Sequence, residues 1–187
     1  YGLVKVSKLS RTFFTVALLA LSIWPLSFTH IYSQNHSRVQ ASMWMYQNIK
    51  PGAVIGTEHW DDALPLGLPG YSNTYQYKEL PVFAPDNAEK WKILHENLAA
   101  IDYYVLSSNR GYGSILSDRK DYPKMAPFYD TLLAGTSEFE KVAEFAVYPS
   151  ICIPLTKRCL VFNDDMSEEA FTVYDHPKVL IYQKKPL

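Results

Sequence analysis

Five consecutive residues, Glu58-His59-Trp60-Asp61-Asp62, form the densest polar cluster of the chain, and their side chains suit three chemistries. A carboxylate beside an imidazole can act as a general base, the same groups can hold a divalent metal, and carboxylates bind sugar hydroxyls. The plain reading is that Asp and Glu here cap the next turn or stay solvated. One histidine among carboxylates is a thin metal signature. A second set, Asn109, Arg110 and Tyr112, falls in the glycine-flanked loop Ser108-Asn109-Arg110-Gly111-Tyr112-Gly113. Arg110 can grip a phosphate or pair with the first cluster, and the structural salt bridge is the favoured expectation. The Gly-Tyr-Gly turn lacks the Lys-Ser/Thr ending and the following helix of a phosphate loop. Ser107, Ser108 and His59 have the residue types of a hydrolase triad, but no nucleophile elbow surrounds either serine. Asp175-His176, just before Pro177, reads as a turn.

Both clusters follow an apolar run, which says what must position them. Residues 39–49 (VQASMWMYQNI) predict a helix with Val39, Met43, Tyr46 and Ile49 on one stripe, stopped by Lys50-Pro51-Gly52. The run Ala53 to Gly56 then predicts an inner strand, and residues 58–62 sit at its carboxyl end. From Ala63 to Pro85 recurring Pro and Gly predict a long ordered loop. Asp86 or Asn87 caps a helix over 87–100, with Trp91, Leu94 and Leu98 inward, and a strand over 102–107 delivers the second cluster. A third helix is expected over 123–134, with Gly135 as its stop, and a third strand over 139–148. Phe171 to Tyr174 and Lys178 to Gln183 read as extended segments around the turn at 175–177. Alternating helices and strands predict an α/β fold, a mainly parallel sandwich with a terminal antiparallel hairpin.

Upstream lies a stretch of different character. Residues 12–32, TFFTVALLALSIWPLSFTHIY, carry no full charge. About 20 such residues are what a helix needs to cross roughly 30 Å of hydrocarbon. Pro25 would kink that helix, with Ser22 and Ser27 at hand for the freed carbonyl. Lys5, Lys8 and Arg11 precede it, whereas the next fixed positive charges are Arg38 and Lys50. The excess of basic residues places residues 1–11 in the cytoplasm and 33–187 outside. A cleaved signal peptide shares the basic start, but the apolar run is too long and no clear small-x-small cleavage site follows. The chain opens on Tyr1 rather than Met, which suggests a fragment whose preceding spans are missing.

Composition narrows the function. The chain has 187 residues, of which 48% are hydrophobic and 20% charged, so the part past the span has enough apolar side chains for one globular core. Its formal net charge of -1, with no basic stripe, argues against nucleic acid as a partner. The 14 tyrosines suit half-buried strand positions better than a sugar-stacking surface. Cys152 and Cys159 are too few ligands for zinc, which leaves a disulfide or two free thiols, and an oxidising outer side favours the bridge. Asn35-His36-Ser37 matches an N-glycosylation acceptor.

Four stretches together resemble a known family. IKPGAVIGTEHWDDALP, YYVLSSNRGYGSI, YPKMAPFYDTLLAG and the closing EEAFTVYDHPKVLIYQK, after a last membrane span, are similar to the carboxyl-terminal end of polytopic GT-C-type membrane glycosyltransferases. More narrowly, the chain resembles the prokaryotic membrane proteins related to dolichyl-phosphate-mannose-protein mannosyltransferases, including a group named for a tyrosine triplet. The EHWDDALP and FTVYDHPKV segments carry most of the likeness, which runs from about Thr12 onward. The resemblance implies transfer of a hexose from a polyprenyl-phosphate donor, with a divalent cation possible in the complete protein. Membrane lipid and the preceding transmembrane helices would be its partners. The family's catalytic acid lies in a first external loop that nothing here matches, so no catalytic residue is carried over. Residues 33–187 are then expected to cap the membrane-embedded site, with Glu58, His59, Asp61, Asp62, Asn109, Arg110 and Tyr112 facing ligand. The competing expectation is a single-span anchored binding module without enzymatic activity.

Overall fold

The computed structural model describes residues 8–153 and 158–186; Lys5 of the basic flank lies outside them. The chain divides into two compact units, one of Tyr1–Gln34 with Tyr148–Asp164, the other of Asn35–Val147 with Asp165–Leu187. The segment 148–164 therefore groups with the apolar helix and not with the α/β unit.

In the first unit α1 covers Lys8–Thr29 and runs through Pro25, then passes into a 3-10 turn, His30–Ser33. It is long and apolar enough to cross a membrane, and only 6% of its apolar window is buried. A core helix of a soluble protein would hide those side chains; Phe13, Leu19 and Leu21 are instead exposed. The hydroxyls near Pro25 do not act as expected. Ser22 Oγ donates to the Leu18 carbonyl (2.8 Å) and Ser27 Oγ to that of Trp24 (2.6 Å), and neither bond goes to Leu21, whose carbonyl a proline at 25 frees. The other part of this unit is an antiparallel hairpin, Ser150–Ile153 and Arg158–Val161, in which Cys152 faces Cys159 and the two form a disulfide.

The second unit is built on a five-stranded mixed sheet. In chain order its elements are α2 (Ser37–Asn48), β1 (Val54–Glu58), β2 (Gln76–Leu80), α3 (Ala88–Ala100), β3 (Tyr103–Leu106), α4 (Arg110–Ser117), α5 (Met125–Leu133), β4 (Phe139–Phe145), α6 (Glu169–Thr172) and β7 (Val179–Lys184), the hairpin strands counting as β5 and β6. The strand order is β2-β1-β3-β7-β4. β2, β1 and β3 are parallel, and β7 runs antiparallel to both β3 and β4. Side chains alternate between two cores. Val105, Val179 and Ile181 face α2 with Ala41, Met45 and Ile49, while Tyr104, Leu106, Leu180 and Tyr182 face α3, α4 and α5 with Leu94, Leu98, Ile115 and Leu132.

The α/β class stands, with four local departures that each have a physical reason. β2 lies inside the expected long loop; it is an edge strand whose first four residues are exposed, so QYKEL shows no apolar alternation. The expected glycine loop at 110–113 is the first turn of α4. Residues 171–174 begin in the short helix α6 and not in a strand, with Thr172 and Val173 buried. β7 therefore makes no hairpin around 175–177; its residues 179–182 are buried and it sits in the middle of the sheet. Finally, α2 buries Ser37, Arg38, Ala41, Ser42 and Met45, and Ile49 just past its end is buried too, whereas Met43 of the expected stripe is exposed. Three polar residues, Ser37, Arg38 and Ser42, are buried in α2 because each is bonded. Ser42 Oγ donates to the Arg38 carbonyl (2.6 Å) and accepts from the Leu66 amide (2.8 Å).

Candidate functional site

The carboxyl ends of β1 and β3 lie side by side, where open α/β sheets collect their ligands. Here most of the predicted cluster is turned inward. Glu58, the last residue of β1, is buried at 4% exposure. Its Oε1 accepts from the Tyr104 and Tyr129 hydroxyls, both at 2.5 Å, and Oε2 has no hydrogen-bond partner among the described residues. Burial pushes its carboxyl up to about 7; the two tyrosine bonds oppose that shift and nearby Asp61 adds to it. The tyrosine hydroxyls are themselves held protonated by burial and by the Glu58 carboxylate. They are fixed donors.

Gly111 lets α4 come this close. A Cβ there would lie 2.0 Å from Glu58 Oε2 and 2.6 Å from the Tyr129 hydroxyl. Alanine is the better helix former by about 1 kcal/mol, but overpacking should win. We expect Gly111→Ala to lower stability by about 1–3 kcal/mol. Gly113→Ala is the control, because its nearest neighbour is 3.7 Å away, and it should be neutral or mildly stabilising in the same thermal melts.

Asp61 is held by a different residue from the one the sequence suggests. Arg38 at the start of α2 reaches it at 3.1 Å, meets Asp62 at 2.8 Å and donates from Nε to the Ser107 carbonyl at 3.1 Å. Ser108 Oγ donates to the other oxygen of Asp61 at 2.6 Å and accepts from the Arg110 amide at 3.0 Å. Side-chain exposure is 9% for Arg38 and 3% for Asp61, so this is a buried ion pair with its remaining valences bonded. Asp62 is mostly exposed.

Arg110 pairs with Glu169 of α6 at 3.0 Å, donates to the Trp60 carbonyl, and lies over the Tyr174 ring at 5.8 Å. The salt bridge expected for it exists, but its carboxylate is Glu169 and not Asp61 or Asp62. Both partners are about a quarter exposed, so Arg110→Ala should cost about 1 kcal/mol or less, read as the shift of the denaturant midpoint. Trp60 has φ of 69°, a conformation rare for a bulky side chain, and its exposed ring stacks on Phe83 at 5.4 Å. His59 meets the exposed Glu79 at 2.6 Å while the Ser108 hydroxyl is given to Asp61, so among the described residues no bond joins His59 to Ser107 or Ser108.

Asn109 and Tyr112 open onto a cleft of about 550 Å³ beside α4, with Ser114, Ser117, Glu168 and Glu169 in its wall. The Asn109 side-chain oxygen Oδ1 accepts from the Thr172 hydroxyl at 3.3 Å, and Tyr112 packs edge-on against Tyr129. His176 is buried, and its ring and that of Phe171 meet edge-on at 5.8 Å. Among the described residues no three of His, Cys, Asp and Glu converge on a metal position. In the glycosylation triplet, Ser37 is buried and donates to the Pro177 carbonyl.

The structure thus divides the predicted set. Glu58 and Asp61 form an internal network, Arg110 ties the rim together, His59 and Asp62 are exposed, and Asn109 and Tyr112 line the cleft. Tyr104, Tyr129, Arg38 and Glu169 complete these arrangements and were not singled out as site residues. One signal for Arg38 was available. A 12-residue helix and the strand after it both span about 17 Å, so if the chain doubles back, the helix start meets the strand end. No family model, curated protein or solved structure matches this chain.

Proposed function

We propose that this chain is the extracytoplasmic, carboxyl-terminal part of a membrane glycosyltransferase. The complete enzyme moves a hexose of the mannose type from a polyprenyl-phosphate carrier to an acceptor. The α/β unit caps the membrane-embedded site and leaves the chemistry to the preceding membrane portion, which also holds any divalent cation. The observation that carries this reading is the internal use of the strand-end acids: Asp61 is closed off by Arg38 and Ser108, and Glu58 by Tyr104 and Tyr129. A general base or nucleophile must reach substrate, and these two do not. The sequence resemblance and the exposed apolar surface of α1 support the membrane setting. The cleft beside α4 offers amide, hydroxyl and carboxylate groups of the kind that bind polyhydroxylated ligands.

The test is sugar transfer from radiolabelled polyprenyl-phosphate mannose. The complete gene product should transfer, its version lacking residues 35–187 should lose most activity, and the present chain alone should be inactive. Undiminished transfer without residues 35–187 would contradict the cap role. The same cleft favours a second reading, a single-span anchored binding module, since it needs no further membrane helices. A complete gene product with one span and no transfer would establish that reading instead.

A further inference from the structure

We infer that the disulfide-closed hairpin β5–β6 is a second membrane contact, seated beside α1 at the boundary between headgroups and acyl chains and facing anionic lipid. This rests on α1 crossing a membrane and is independent of sugar transfer. The two elements belong to one compact unit, and β5 runs against both α1 and the 3-10 turn that follows it. Trp24 of the helix meets Phe162, just past β6, edge-on at 5.7 Å, and Ile23 shares an apolar pocket with Ile151, Ile153 and Leu160. Ile23 stands six positions before Thr29, the end of α1 (29 − 23 = 6), which places it about 9 Å below the helix end. Whatever packs on it is carried to that depth.

The hairpin's surface fits such a position. Ile153, Leu160 and Val161 are 56%, 59% and 53% exposed, an apolar display that water does not favour. The hairpin is too short to cover itself. Its outer strand edges carry N–H and C=O groups outside the ladder, which hydrocarbon does not tolerate and the hydrated headgroup layer does. That sets the depth at the boundary, where interfacial elements bury about 5–10 Å. Arg158 of the hairpin is exposed, and residues 148–162 contain no acid, the first beyond them being Asp164. Basic side chains on apolar stems match lipid phosphates above and acyl chains below.

The experiment uses the full chain in vesicles of zwitterionic lipid, or of the same lipid with a fifth (roughly) of phosphatidylglycerol, each doped with a phospholipid bearing a photoreactive acyl chain. After illumination, digestion and mass spectrometry, lipid adducts should fall on peptides of 148–162 as well as on α1, and not on α3 or α5. In the anionic vesicles, Arg158→Gln should cut the hairpin adducts about fivefold relative to those on α1. Adducts confined to α1, or hairpin cross-links to protein in place of lipid, would overturn the proposal. Equal hairpin adducts in Arg158→Gln and the unaltered chain would overturn the anionic part of it.

Discussion

Replacing Arg38 with alanine is expected to destabilise the α/β unit by about 3–5 kcal/mol, the cost of breaking a buried ion pair from one side. The reason is the carboxylate left behind. The Asp61 side chain is 3% exposed, and without Arg38 it keeps only the Ser108 hydroxyl and the Asp62 amide, two neutral donors, to compensate its charge in a place that water barely reaches. The loss also releases the Ser107 carbonyl, which ties the end of β3 to α2. Arg38→Lys should recover only part of the stability, since one ammonium cannot serve Asp61, Asp62 and the Ser107 carbonyl in the geometry of the guanidinium. Denaturant titration of the full chain in detergent, followed by tryptophan fluorescence, measures this directly. A cost no larger than that of Arg110→Ala would show that Arg38 is not the keystone of this end of the sheet.

The second large effect is on the pH dependence of stability. The folded unit holds a proton on Glu58 up to about pH 7, whereas the unfolded chain releases it near 4.5. Between those values the folded state binds more protons, so stability falls as pH rises. Glu58's contribution is intact below about 4.5, declines through the interval and is lost above about 7. The difference corresponds to roughly 3 kcal/mol. Glu58→Gln removes the titration while keeping the acceptor for Tyr104 and Tyr129. The stability of the variant relative to the unaltered chain should therefore rise by about that amount between pH 4.5 and 7.5. Parallel stability curves for the two would mean that Glu58 is not titrating behind the tyrosines.

Both effects lie in residues whose roles a linear reading conceals. Elements with apolar alternation or a clear cap were legible: β1 and β3 from their short apolar runs, α3 from Asn87, whose side chain accepts from the Lys90 amide, and the end of α5 from Gly135 at φ of 73°. The glycines of α4 hid a helix, because Gly111 is there for close approach to Glu58 and not for a turn. Charged, exposed QYKEL hid an edge strand. The polar face of α2 hid the burial of Arg38, since hydropathy patterning treats a bonded arginine as a surface residue. The candidate acids were found by their density. Their partners were not, because Tyr104, Tyr129 and Arg38 come from three different elements that only the tertiary fold brings together.

What the whole account stands on is where the α/β unit resides relative to the bilayer. The direct measurement is labelling of intact cells with a membrane-impermeant amine reagent, read by mass spectrometry at Lys78 and Lys185, and again after permeabilisation. Modification of both lysines in intact cells, unchanged by permeabilisation, is the predicted result. Modification only after the membrane is opened would place the unit in the cytosol and contradict the account.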